Sequence, residues 1–253
     1  MQLDRVIAIR NTKTIYRDGS RCIKVFNDAH SKAEVLSEAM NIALIEEIGI
    51  RAPHLIEVKL FDGKWAIVSE YVKGKSLAQI MKENPDKTDY WLNFFVDLQL
   101  QVYAHRCPSL YPMKDKLQQR IDLSRLNDSF KAKIHEKLHQ MHFSDKVCHG
   151  DFNPSNIIIT DENVPSLIDW AHVIKGTPHA DAAWSWLNLS YRDSSETAKK
   201  YLDLFCGKSS ITADSVWEWV PFIAVSKSVK RVENERKFLL RMAQEYWQSN
   251  PGE

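Results

Sequence analysis

From residue 5 to residue 26 the apolar positions come in short runs separated by polar turns. Val6, Ile7 and Ile9 form one run, Thr14-Ile15-Tyr16 a second, and Cys22-Ile23-Lys24-Val25-Phe26 a third. Asp18-Gly19, between the last two, is a strong hairpin signal. The period then changes. Between Lys32 and Glu47, Val35, Ala39, Ile42 and Ile45 return at helical spacing, and Gly49 stands where a helix would end. After Pro53 two further strands are predicted, His54 to Leu60 and Lys64 to Tyr71, joined at Asp62-Gly63. Val72-Lys73-Gly74-Lys75 reads as a short hinge. Ser76 is placed to cap a helix through Met81, and helices are predicted over 90–106, 129–143, 180–206 and 214–248, with 249–253 as a frayed tail. Only 148–170 breaks this run with strand-type patterning. The pattern predicts an α+β chain: a small five-strand lobe with one inserted helix (1–72), then a larger, mostly helical lobe (73–253).

That strand-rich insert carries the candidate chemistry. It contains His149-Gly150-Asp151-Phe152-Asn153-Pro154-Ser155-Asn156, then Ile157 to Ile159, then Leu167-Ile168-Asp169-Trp170. Two carboxylates and one carboxamide thus stand at the ends of short apolar strands. Phosphoryl transfer of the kinase type requires this set: a carboxylate to take up a hydroxyl proton (Asp151), and an Asn and an Asp to hold Mg²⁺ on the phosphates (Asn156 and Asp169). A polar turn between strands, with Asp and Asn bonded to local backbone, is the bland alternative.

Composition narrows the field. Of 253 residues, 44% are hydrophobic and 26% charged, ordinary values for a globular chain. The net charge of +1 supplies no overall field for nucleic acid or an anionic membrane, and no apolar run approaches the length that crosses a bilayer. The four cysteines are scattered without a CxxC pair, and the amino-terminal residues do not resemble a signal peptide. They read as reduced thiols in a cytoplasmic protein. No two of the eight glycines form a G-x-G, which excludes a dinucleotide fingerprint and a Walker A loop.

A nucleotide therefore needs another device. Lys24 lies within the apolar run Ile23-Lys24-Val25, where an ammonium is costly without an anion. It is predicted to bind the α- and β-phosphates, held by a carboxylate of the next helix, Glu38 as the first candidate and Glu34, one turn earlier, as the second; the alternative is an edge-strand lysine with its head in water. The loop Asn11-Thr12-Lys13 joins the first two strands, and without glycines Asn11 and Thr12 must reach phosphates through side-chain amide and hydroxyl donors.

Together these residues resemble the aminoglycoside phosphotransferase and choline kinase-like family, small-molecule relatives of the protein kinases. The resemblance rests on Lys24, Glu38, the segment Ala66 to Gly74, His149-Gly150-Asp151-x4-Asn156, Ile168-Asp169-Trp170, and Gly176-Thr177-Pro178-His179-Ala180-Asp181-Ala182-Ala183-Trp184. It implies a two-lobed kinase-like fold and an ATP- and Mg²⁺-dependent kinase acting on a small-molecule hydroxyl; a single backbone hinge does not exclude GTP as donor. It implies Asp151 as base, Asn156 and Asp169 as Mg²⁺ ligands, and Lys24 oriented by Glu38. It further implies that the backbone of Ser69 and Tyr71 meets the adenine edge, with Val68 at the back of the pocket and Ile158 and Ile168 as its floor. Asp181 is implied to anchor the catalytic loop, and the short interval from Asp169 to Gly176 leaves no room for a long activation loop.

Two other readings compete. A nucleotide-binding regulator without turnover would keep the fold and lose the chemistry. His135-Glu136-Lys137-Leu138-His139 matches the HExxH zinc-protease pattern, with His142 continuing the row; yet Ile134, Leu138 and Met141 form a parallel apolar stripe, as in an amphipathic packing helix. The acceptor is left open by sequence. The carboxyl-terminal region shows no acidic excess, Lys227, Lys230 and Arg231 share a helical face, and Trp170, Trp184, Trp186, Trp217 and Trp219 suit a sugar platform, a cation box or the core.

Overall fold

A computed structural model describes residues 5–10 and 12–249. In chain order the described residues form β1 (Arg5–Ile9), β2 (Lys13–Asp18), β3 (Arg21–Phe26), α1 (Lys32–Glu47), β4 (Leu55–Phe61), β5 (Lys64–Glu70), β6 (Gly74–Ser76), α2 (Leu77–Glu83), α3 (Thr88–Tyr103), α4 (Met113–Asp122) and α5 (Asp128–Gln140). There follow β7 (Lys146–Cys148), β8 (Ile157–Thr160), β9 (Pro165–Leu167), β10 (Ile174–Gly176), α6 (Pro178–Arg192), α7 (Ser195–Lys208), α8 (Ala213–Trp217), α9 (Val220–Ser228) and α10 (Glu233–Ser249). Contacts divide the chain into two units interleaved in sequence: Met1–Pro85 with Pro154–His172, and Asp86–Asn153 with Val173–Glu253.

The first unit is built on an antiparallel sheet of order β1-β2-β3-β5-β4. Its Asp62-Gly63 turn has both residues at positive φ, the backbone that matches the twist of a two-residue hairpin. Register assigns the faces. Ile23 pairs with Val68 and Val25 with Ala66, and these four form a buried cluster to which Tyr16 and Phe61 add. Lys24, one residue out of phase, pairs with Ile67 and with Ile15 and so lies on the opposite face. Helix α1 begins in a capping box: Ser31 Oγ accepts from the Glu34 N–H, and the Glu34 carboxylate accepts from the Ser31 N–H. Glu34 is thereby occupied at the helix start, whereas Glu38 falls on the buried stripe with Val35, Ala39, Ile42 and Ile45. Of the residues expected to form a hinge, Gly74 and Lys75 instead belong to β6, which pairs with β8, and β8 pairs with β9.

The second unit is helical apart from the β7–β10 pair. Its core holds Trp184, Tyr201, Phe95, Phe152 and Phe205. Three differences from the sequence pattern have local causes. Helix α4 was not expected; its buried positions Met113, Leu117 and Ile121 form a stripe one residue wide on a polar helix. The predicted helix 180–206 is two helices, because Ser194 takes an extended backbone and caps α7 through the Thr197 N–H. The predicted 214–248 is three, α8, α9 and α10, with Pro221 in the first turn of α9.

Candidate active site

In the first unit, Lys24 donates to Glu38 Oε1 and, at 3.0 Å, to Asp169 Oδ1. The Lys13 ammonium lies 3.3 Å from the same oxygen. Burial alone would lower the Lys24 pKa; Asp169 and Glu38 outweigh it and hold the lysine above its ordinary value. Burial likewise opposes ionisation of Asp169, but Lys24 and then Lys13 hold this carboxyl well below the usual carboxylate range. Asp169 also has φ +63, a left-handed backbone uncommon outside glycine. The turn around it is fixed from both sides: the Trp170 indole donates to the Leu167 carbonyl at 3.0 Å, and Asn41 of α1 donates to the Trp170 carbonyl. Strain maintained this way is characteristic of functional positions.

Asn156 closes a 3₁₀ turn, Pro154–Asn156, at the start of β8. Ile157 pairs with Leu167, and the Ile168 N–H donates to the Asn156 carbonyl at 2.9 Å. Asn156 and Asp169 therefore stand at one end of the β8–β9 pair. A carboxylate and a carboxamide are hard oxygen donors, the kind that Mg²⁺ prefers, so these residues fit that ion.

The other nucleotide-side residues divide. Ser69 pairs with Cys22 and shares the sheet face of Lys24. Val68 does not: strand alternation turns it into the Ile23 cluster on the opposite face, where it is fully buried. The Tyr71 N–H donates to the Ser20 carbonyl at 2.8 Å. The Tyr71 ring is covered by Arg17 at 4.5 Å. Ile158 and Ile168 are half-buried, and the Thr12 carbonyl accepts from the Asn27 N–H. Asn11 lies outside the described residues. Lys13 was named in sequence only as part of the loop; its reach to Asp169 was not foreseen.

In the second unit, Asp151 lies on a turn tied down by buried groups. The His149 and Gly150 N–H groups donate to Asp181 Oδ2 and Oδ1 at 3.1 and 2.9 Å, and the Tyr103 hydroxyl adds 3.2 Å to Oδ2. Gly150 has φ +74, a conformation costly for any residue with a Cβ. The Asp151 N–H donates to His149 Nδ1 at 3.2 Å, and Asn153 donates to the Asp151 carbonyl. A second buried chain supports Phe152: Ser185 donates to its carbonyl at 2.8 Å, Gln99 donates to Ser185, and Tyr201 donates to Gln99. The carboxylate of Asp151 is itself addressed. Trp184 Nε1 donates to Oδ1 at 2.7 Å, and Arg231 Nη2 lies 3.7 Å away. Nothing local in the sequence relates α6 or residue 231 to Asp151, so neither contact is legible there.

Asp181 thus anchors the loop. Asp181→Ala is expected to strand up to three donors, each costing about 1–3 kcal/mol. Urea denaturation should show a lower midpoint at an unchanged slope.

Two lysines in this unit have lowered pKa values. Burial, then the like charges of Lys227 and Arg120, bring Lys116 to about 7. Burial, partly offset by Asp151 and reinforced by Arg231, brings Lys227 to about 8. Between these values and the ordinary lysine value of 10.5 the unfolded chain binds more protons than the folded one, so this contribution to stability rises with pH. Lys116→Met should shrink the gain in urea midpoint between about pH 7 and about pH 9 relative to the parent chain.

The HExxH residues take another part. His135 Nε2 lies 2.7 Å from Asp122 Oδ1, and α5 ends at Gln140 with Met141 extended, so His142 is not on the helix row. Ile134 and Leu138 form its buried face. Among the described residues no group of three or more His, Cys, Asp or Glu side chains is placed to hold a metal ion.

Comparison with known proteins decides the family. Residues 9–220 match the model of the phosphotransferase enzyme family, APH. The chain belongs to that family. It is a small-molecule phosphotransferase by family membership. No curated protein matches the sequence. Solved structures that share the fold include choline kinase LicA from Streptococcus pneumoniae, with a TM-score of 0.66 at 14% identity over 98% of this chain and 94% of that one. A thermostable mutant of aminoglycoside phosphotransferase APH(4)-Ia, in a ternary complex with AMP-PNP and hygromycin B, gives 0.73 at 10% identity over 98% and 94%. ADP-bound aminoglycoside phosphotransferase APH(2'')-Ib gives 0.63 at 15% over 98% and 94%. At these identities the likeness is one of fold. No helix among the described residues is long and apolar enough to cross a membrane.

Proposed function

We propose that this phosphotransferase moves the γ-phosphoryl group of ATP to a hydroxyl of a small molecule, with Mg²⁺ as the required ion. The observation that carries the reading is the Lys24 ammonium shared between Glu38 and Asp169. A lysine fixed by a helix carboxylate beside an ionised metal-ligand aspartate is the phosphate-gripping arrangement of kinase-type catalysis. Neighbours of the fold solved with AMP-PNP and ADP support an adenine nucleotide as donor.

Lys24 grips the α- and β-phosphate oxygens, kept in place by Glu38. Lys13 adds a second cation from the glycine-free loop, where backbone N–H groups would otherwise serve. Asn156 and Asp169 would hold Mg²⁺, which when bound neutralises phosphate charge and aligns the phosphates. Asp151 accepts a hydrogen bond from the acceptor hydroxyl and takes its proton as the oxygen attacks phosphorus. An O–P bond to the acceptor forms, the bond from phosphorus to the β–γ bridging oxygen breaks, and ADP leaves with that electron pair. The Trp184 N–H on Oδ1 orients the carboxylate for the hydroxyl.

The test is ADP release with Mg-ATP across hydroxyl compounds, alongside a no-acceptor control. Acceptor-dependent release supports the reading; tight Mg-ATP binding without turnover on any acceptor would favour a silent nucleotide-binding regulator.

A further inference from the structure

The turn between α9 and α10 delivers one cation to the base. Arg231 Nη2 lies 3.7 Å from Asp151 Oδ1, the oxygen that accepts the Trp184 N–H, and Arg231 Cζ stands 5.0 Å from the centroid of that same indole. The guanidinium is held from behind. Its Nε lies 3.5 Å from Glu235 Oε1, four residues on in α10, and Glu235 Oε2 accepts from Arg192 Nη2 at 3.0 Å. Glu235 is 3% exposed, so this anchor is fixed by the packing of α10. Arg231 and Asp151 are only partly buried and stand open to a ligand. Lys227, the other cation over Trp184, is engaged elsewhere: it donates to the Gly150 carbonyl and supports the turn that carries Asp151.

Distance sets what Arg231 can meet. A hydroxyl bonded to the Asp151 carboxylate has its oxygen about 2.6–3.2 Å away. The phosphorus it attacks must come within about 3–3.5 Å of that oxygen. Whatever the acceptor, the transferring group therefore passes within about 7 Å of this carboxylate. A guanidinium 3.7 Å from the same carboxylate can reach the oxygens of that group. In the transition state negative charge is spread over those oxygens. The loop from Asp151 to Asn156 has no cation of its own to meet it, since Phe152, Asn153, Pro154 and Ser155 intervene. Arg231 supplies one. Its planar fork of N–H donors matches phosphoryl oxygens, and the Trp184 and Glu235 contacts orient it before reaction, the condition under which a fixed charge lowers the barrier.

We propose, resting on the phosphotransferase reading, that Arg231 is a further catalytic residue, an arginine supplied in cis to the phosphoryl group in transit beside Asp151, with Glu235 as its positioning residue. Arg231 neither gives nor takes a proton in the step; the acceptor proton still goes to Asp151.

The test uses the full chain in two arms. In the first, an acceptor identified by ADP release is phosphorylated with Mg-ATP. Arg231→Gln should lower kcat by about 10³-fold or more, the usual contribution of such an arginine, with both KM values near those of the parent. Arg231→Lys keeps the charge without the fork and should recover part of that loss. Glu235→Gln, which releases the guanidinium from its anchor, should lower kcat with KM unmoved. In the second arm, binding of Mg-ADP is measured with and without fluoroaluminate, a planar stand-in for the transferring group. Fluoroaluminate should tighten Mg-ADP binding by the parent, and Arg231→Gln should lose that gain while binding Mg-ADP alone as the parent does.

Parent-like kcat in Arg231→Gln overturns the proposal, as does a loss carried only by the acceptor KM, which would make Arg231 an acceptor-binding residue. A fluoroaluminate gain undiminished in Arg231→Gln also overturns it. Parent-like kcat in Glu235→Gln removes the positioning role. If Mg-ATP binds and the parent phosphorylates no acceptor, the phosphotransferase reading fails separately, and the second arm still decides Arg231: a gain lost in Arg231→Gln supports its place on the phosphoryl group, and no gain in the parent overturns it.

Discussion

Asp151→Asn is expected to lower kcat by about 10²–10⁴-fold, the usual contribution of a positioned general base. The substitution is isosteric, and the Asn carbonyl oxygen can still accept the Trp184 N–H, which now stands 2.7 Å from Oδ1. The turn should survive, because its anchors act on the backbone: Asp181 holds the His149 and Gly150 N–H groups, and the Asp151 N–H is held by His149. What disappears is the capacity to take a proton. Mg-ATP affinity should therefore stay near that of the parent chain while turnover collapses. Full activity in this variant would remove Asp151 from the chemistry.

Asp169→Asn is the second large effect, expected at about 10²–10³-fold or more in kcat by analogy with the loss of one fixed electrostatic contact at developing charge. The neutral amide is a poorer partner for Mg²⁺ and for Lys24. Because Lys24 keeps Glu38, the ammonium is not left as an isolated buried charge, and the chain should still unfold cooperatively. The distinguishing signature is in the nucleotide: Mg²⁺ dependence of ATP binding should weaken in Asp169→Asn and persist in Asp151→Asn. Identical binding behaviour in the two variants would contradict the division of roles.

Much of the fold was legible because its signals are local. The Asp18-Gly19 and Asp62-Gly63 turns, the α1 stripe from Val35 to Ile45, and the strand–turn–strand around Asp151 to Asp169 are each written within a few residues. So was the choice of Glu38, whose helical position puts it on the buried stripe. The face that Val68 takes is not written locally. Adjacent strand residues point to opposite faces, and only the β3–β5 register shows that Lys24 shares its face with Ile67. The same holds for the Tyr71 N–H, whose partner, Ser20, comes from a distant turn.

The polar scaffolding was hidden by its own ordinariness. Gln99, Tyr103 and Ser185 lie on helices far in sequence from Asp151, yet they form the buried support of the turn that carries it. Lys227 and Arg231 read equally well as a solvated stripe. Their meaning depends on Trp184 of α6 lying beneath them, a relation between residues far apart in the chain.

Phosphorus NMR of the chain with Mg-ATP and a panel of hydroxyl compounds tests the central claim most directly, because it separates transfer from hydrolysis. A phosphate-ester resonance should grow in step with ADP as the γ-phosphate signal decays, and should be lost in Asp151→Asn. Decay of ATP to ADP and inorganic phosphate alone, or ester formation undiminished in that variant, would contradict it.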